Sequence, residues 1–199
     1  MVTIKSVTLD AGDPAAAEDF LSRLGVGSMV AVRSSDAPTA GFRGFTLSLV
    51  VSQPSTVDSL IGTALDGGAT VLKAVAKSFW GYGGVVQAPD GAIWKVATSS
   101  KKEKGPATTE FDDLVLLLGV ADVKASKRFY ADRGLKVAKS FASKYVEFDS
   151  PEVKLALYGR RALAKDAGVS PENTGSHGIL IGSDAGTFSD PDGFAWDAS

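Results

Sequence analysis

A chain of 199 residues, 44% hydrophobic and 22% charged with a net charge of −2, is long enough for one large domain or two small ones, and its composition is that of a globular protein. It has no cysteine, which excludes a disulfide framework, thiolate metal sites and thiol nucleophiles; with no basic block beyond Lys101-Lys102, nucleic acid is not an expected partner. No apolar run approaches the roughly 20 residues of a membrane span and MVTIKSVTLD lacks a signal-peptide pattern, so a soluble, cytoplasmic protein without a membrane partner is expected.

Residues 2–9 alternate apolar and polar (Val2, Ile4, then Val7, Leu9), the pattern of a half-buried strand. Asp13-Pro14 supplies a helix N-cap with proline at the first helical position. Ala16, Ala17, Phe20, Leu21 and Leu24 recur at helical spacing, and Gly25 stops the helix. Strands are expected at 29–33 and 44–51. Val57, Leu60, Ile61, Ala64 and Leu65 form the next helical stripe. Its start is expected at Ser52 or Ser55, the latter with Asp58 as a short capping box. Strands follow at 70–73 and 82–87, joined by a loop carrying Phe79, Trp80 and Tyr82. The Pro89-Asp90-Gly91 turn then feeds a strand at 93–97.

Residues 99–110, SSKKEKGPATTE, have almost no apolar member and read as a linker. After them the pattern restarts. Asp113–Val120 is a nearly continuous apolar run, as in a strand buried on both faces. Asp122 caps a helix with Phe129 and Tyr130 near its middle, and Gly134 ends it. Residues 144–148 and 153–158 suggest a hairpin, 160–168 a short helix and 178–183 a strand. The chain closes on Pro191-Asp192-Gly193 and a strand bearing Trp196 and Asp197.

Two constant offsets mark an internal duplication. Asp13, Phe20 and Gly25 recur 109 residues on, as Asp122, Phe129 and Gly134; Gly91, Trp94 and Lys95 recur 102 residues on, as Gly193, Trp196 and Asp197. The second copy is thus shorter by about seven residues, and nothing between Ser183 and Asp190 can match the helix at 55–66. Two domains are expected, 1–98 and 111–199, the second without its second helix, with 99–110 between them.

Asp122…Phe129-Tyr130…Arg133-Gly134-Leu135, together with Phe188-Ser189-Asp190-Pro191-Asp192-Gly193-Phe194-Ala195-Trp196, resembles the vicinal oxygen chelate superfamily, the group of glyoxalases, bleomycin-resistance proteins and extradiol dioxygenases. The resemblance spans nearly the whole chain as two such domains. It implies an α+β fold of tandem βαβββ modules, with curved mixed sheets around a cleft and helices on the outer faces. It also implies, where members are metalloenzymes, a divalent ion in that cleft, held by His, Gln or Glu from first and last strands. Carried over position by position, those places fall on Val115, His177 and Asp197 in the second half. In the first half they fall on Ser6, on Phe45 or Thr46, and on Lys95.

Phe and Val offer no lone pair and an ammonium does not bind a metal, so the first half resembles a metal-free domain. His177 and Asp197 are two donors where a divalent ion wants several, which implies no cofactor or a weakly held metal. His177 can equally be a hydrogen-bonded residue at a strand start, and Lys95 and Asp197 can equally be exposed strand residues. Trp94 and Trp196 are each one residue from these charges and face the other way, beneath the helices if the charges line the cleft. Gly81-Tyr82-Gly83-Gly84 resembles a phosphate loop only superficially, because no helix follows it. The expected function is binding of a small organic molecule, a drug or metabolite, in an aromatic-lined cleft formed by Lys95, Phe79, Trp80, Tyr82 and Phe194, with a homodimer as one arrangement. The alternative is a divalent-metal lyase, isomerase or dioxygenase of the same group, using His177, Asp197 and a third donor such as Glu147.

Overall fold

The computed structural model describes residues 2–37 and 39–199. The first half contains β1 (Ile4–Ala11), α1 (Pro14–Arg23), β2 (Val30–Ser34), β3 (Ala40–Gly41), β4 (Phe45–Val50), α2 (Pro54–Asp66), β5 (Thr70–Ser78), β6 (Gly81–Gln87) and β7 (Ile93–Thr98). The second contains β8 (Asp113–Val120), α3 (Val123–Asp132), β9 (Lys136–Phe141), β10 (Tyr145–Asp149), β11 (Val153–Gly159) and α4 (Arg160–Ala167), then β12 (Asn173–Thr174), β13 (Ile179–Ser183), β14 (Phe188–Ser189) and β15 (Ala195–Ala198).

An eight-stranded sheet runs β5-β6-β7-β4-β8-β11-β10-β9, and a five-stranded sheet runs β14-β15-β13-β1-β2. Both take strands from both halves. In the larger sheet, β4 pairs antiparallel with β8 and parallel with β7, and β8 pairs parallel with β11. In the smaller, β13 pairs antiparallel with β1 and parallel with β15, and β1 pairs parallel with β2. The smaller sheet therefore repeats the connectivity of the larger, with three outer strands missing.

Local sequence sets the elements largely as expected. Asp13 and Asp122 cap α1 and α3 by accepting from Ala16 N–H and from Lys124 and Ala125 N–H. Gly91 and Gly193 take φ of 86° and 87° in the two Pro-Asp-Gly turns, a conformation that suits glycine. Helix α2 departs from expectation. Its N-cap is Gln53, which makes no side-chain cap bond, and Ser55 N–H is accepted by the Glu103 carboxylate instead. Gln53 Oε1 meanwhile accepts from Lys104 and Gly105 N–H, so the polar connector is fastened to the start of α2. Strand β9 carries no clear alternation and was not expected; it is an edge strand, mostly exposed.

Alternate residues of the strands divide between two apolar clusters. Leu47, Trp94, Leu116, Leu155, Ile181 and Trp196 join α1, α2 and α3 in one core between the sheets. Phe20 of α1 meets Trp94 edge-on at 6.1 Å, and Tyr130 of α3 contacts both Phe148 and Trp196. The helix expected at 160–168 forms, but it lies on the opposite face of the eight-stranded sheet. There Leu163, Ala164 and Ala167 of α4 pack with Phe42, Val85 and Ile93, and against Leu117 and Tyr158. That is why β8 is apolar on both faces: one contacts the main core and the other contacts α4.

Candidate functional site

On the α4 side of the larger sheet, one row of residues crosses five strands: Val85 on β6, Lys95 on β7, Ser48 on β4, Val115 on β8 and Lys154 on β11. The first-strand place in the first half is therefore Ser48; Thr46 lies two residues away, and Phe45 points into the main core. Lys95 and Val115 stand in this row. Ammonium groups, a hydroxyl and an isopropyl group do not make a site for a divalent ion.

A second such row lies on the smaller sheet, where Ser6 is in register with Gly182 and Gly182 with Asp197. His177 is outside it. The opening strands β1, β4 and β8 are each followed by a helix, but β13 is followed by a turn, so His177 does not take the equivalent place. In the structure Asp184 sits at a turn and accepts from the Thr3 amide and hydroxyl. The two expected donors are not brought together. His177 precedes β13, whereas Asp197 is in register with Gly182 near the far end of that strand; His177 Nε2 lies 2.9 Å from the carbonyl of Asp192, in the turn before β15. Its Nδ1 lies 2.6 Å from the carbonyl of Arg43, and its ring stacks on Phe194 at 4.0 Å. Asp197 is exposed and accepts from Thr187 Oγ1 at 2.6 Å. Among the described residues no group of three or more His, Cys, Asp or Glu is placed to hold a metal ion. Glu147 is engaged elsewhere, by Tyr145 and Lys139.

An open cleft of about 250 Å³ lies to one side of α4. Strands β5, β6 and β7 form its floor, Trp80 stands at its rim, and Lys95 and Asp166 bound it toward α4. Lys95 Nζ donates to Asp166 Oδ2 at 2.7 Å, tying β7 to α4. Lys73 Nζ donates to the Lys165 carbonyl at 2.8 Å, a cation at the C-terminal end of α4. The loop expected between 73 and 82 is instead mostly strand: β5 runs on to Ser78 and β6 starts at Gly81, leaving a tight hairpin with Phe79 and Trp80 at its tip, 82% and 83% exposed and edge-to-face at 5.0 Å. Tyr82 borders the cleft, but its hydroxyl donates to Asp58 on α2 at 2.8 Å, and this bond raises its pKa, with desolvation adding to the rise. Phe194 is fully buried in the main core, away from this cleft. Of the expected ligand-binding residues, the cleft thus gathers Lys95 and Trp80; Tyr82 borders it, but its side chain turns to the α2 face, and Phe79 is not among the lining residues. Asp166 and Lys73 were missed; their signal lay in the folding-back of α4, which periodicity does not carry.

No protein-family model and no curated protein sequence matches the chain. Solved structures do. A point variant of glyoxalase I from Zea mays superposes with a TM-score of 0.63 at 13% identity, covering 98% of this chain and 92% of that one. Glyoxalase I itself from Zea mays gives 0.62 at 13% identity, over 98% and 91%. A putative dioxygenase from Bacillus subtilis gives 0.56 at 13% identity, over 96% and 71%. The chain has the α+β fold of these glyoxalase I structures, with mixed sheets. Among the described residues no helix is long and apolar enough to cross a membrane.

Proposed function

We propose that the protein binds a small organic molecule, a drug or metabolite, in the cleft between α4 and strands β5–β7, without a complete metal site. One observation carries this reading. The row that crosses the α4 face of the larger sheet offers Lys95, Ser48, Val115 and Lys154, and α4 packs over that face, while a lateral space with a polar wall and an exposed indole stays open. Pockets that take small ligands combine an apolar lining with a few convergent polar groups. The metal-dependent alternative draws no support from His177 and Asp197, which stand at opposite ends of a strand. We also read 1–98 and 111–199 as two copies of one ancestral unit pair, now interleaved in two sheets, and place the protein in the cytoplasm.

A thermal-shift screen tests the function. A ligand of the folded state raises the melting temperature by mass action. At least one compound in a panel of drug-like and metabolite-like organic molecules should do so, and Ala97→Leu, which fills the cleft floor, should abolish the rise. A panel without effect, or effects indifferent to Ala97→Leu, would count against the reading.

A further inference from the structure

The shape and charge of the cleft narrow the ligand. Ala76, Gly83 and Ala97 lie side by side across β5, β6 and β7. No side chain on this part of the floor is longer than a methyl group, so it offers a flat shelf. The shelf cannot grow a larger side chain at its centre: a Cβ on Gly83 would come within 2.8 Å of the Val96 carbonyl oxygen. Two residues along β6 and β7, and three along the bulged β5, the next row is Lys73, Val85 and Lys95, about 6–7 Å away along β6 and β7. In the other direction the hairpin tip brings Trp80 to the rim.

The shelf therefore has ammonium groups at one end and an indole at the other. Lys73 and Lys95 each donate one hydrogen bond to α4, and an ammonium has three N–H groups, so donors remain on both. Three lysines, Lys73, Lys77 and Lys95, border the cleft against one carboxylate, Asp166, which Lys95 already pairs. A space of about 250 Å³ takes one ring with a short acidic arm. We infer that the cleft is a site for a small single-ring aromatic carboxylate, its ring on the Ala76–Gly83–Ala97 shelf near Trp80 and its carboxylate at Lys95 and Lys73. This rests on the reading of the cleft as a ligand site.

Trp80 gives a direct readout, because Trp94 and Trp196 are both 1% exposed. Fluorescence titration of the full chain with 3-phenylpropionate should show saturable quenching, at least tenfold tighter than with 3-phenylpropanamide, the neutral amide of the same shape. By calorimetry, Lys95→Met should weaken the acid at least tenfold and leave the amide unchanged, and Ala97→Leu should abolish binding of both. Equal affinity for acid and amide would overturn the choice of an anion and leave the ligand site standing. So would a thermal-shift hit sensitive to Ala97→Leu from a compound with no acid group, if neither ring compound binds. If neither ring compound binds and no compound in the panel is sensitive to Ala97→Leu, the ligand site itself falls.

Discussion

Arg43 and His177 bond to each other's backbone: Arg43 Nε donates to the His177 carbonyl at 2.9 Å, and His177 Nδ1 lies 2.6 Å from the Arg43 carbonyl. Each also holds one of the two repeated turns. Arg43 Nη1 donates to the Asp90 carbonyl at 3.2 Å, and His177 Nε2 lies 2.9 Å from the Asp192 carbonyl. Arg43 further donates to the Gly178 carbonyl and is buried, and that burial lowers its pKa despite Asp90 nearby. The junction thus joins the Pro-Asp-Gly turns of the two copies. Arg43→Ala should cost about 3–5 kcal/mol in urea unfolding, since it strips a buried hub and leaves Asp90 unpaired. Arg43→Lys should rescue little, because an ammonium cannot reproduce the fork.

His177→Ala should cost less, about 1–3 kcal/mol, through lost hydrogen bonds and stacking on Phe194. It should leave ligand-induced quenching of Trp80 unchanged, because the junction is separate from the cleft. A large loss of binding with stability intact would instead mark His177 as a functional residue.

Asp190 gives the clearest pH dependence. It is buried, accepts from Tyr130 Oη at 2.6 Å and from Asp192 and Phe194 N–H, and desolvation still raises its pKa above the ordinary carboxylate value. Folding therefore favours its protonated form. The stability this adds is complete below the unfolded value of about 3.9 and is lost as pH rises through the raised folded value. Asp190→Asn removes that titration, so wild type should gain stability relative to this variant as pH falls from neutral into the acid range. Asp190→Ala removes the same titration and also leaves three donors without an acceptor, so it should cost about 2–3 kcal/mol at neutral pH and more in acid. Urea unfolding of the three proteins across pH distinguishes these outcomes.

Helix α4 covers its face of the larger sheet by packing rather than by charge. Leu163 is fully buried against β8, so Leu163→Ala should cost about 2–5 kcal/mol. The Lys95–Asp166 pair is partly exposed and should contribute no more than about 1 kcal/mol. Asp166→Asn should therefore change the unfolding midpoint little while strengthening binding of an anion in the cleft.

Local chemistry was legible in the sequence, and tertiary placement less so. The caps at Asp13 and Asp122, the glycines at 91 and 193, and the alternation that sends Trp94 and Trp196 inward were all readable, because each depends on neighbours a few residues away. The same alternation left Lys95 and Asp197 open between the cleft and an exposed face, because the register that decides it is set by long-range pairing. His177 was misplaced because a spacing rule was applied to a strand that lacks its helix. Phe194 looked like a rim aromatic until the stacking with His177 put it in the core. The position of α4 was unreadable: Arg160–Ala167 gives the same helical pattern on either face of a sheet, and long-range contacts with Phe42 and Val85 decide between them.

Equilibrium dialysis of the purified protein against Zn²⁺, Ni²⁺, Mn²⁺ and Fe²⁺ addresses the depleted donor row most directly. No stoichiometric uptake is expected from Lys95, Ser48, Val115 and Lys154. One equivalent bound at micromolar affinity, and lost in a His177→Ala or Asp197→Ala variant, would contradict it.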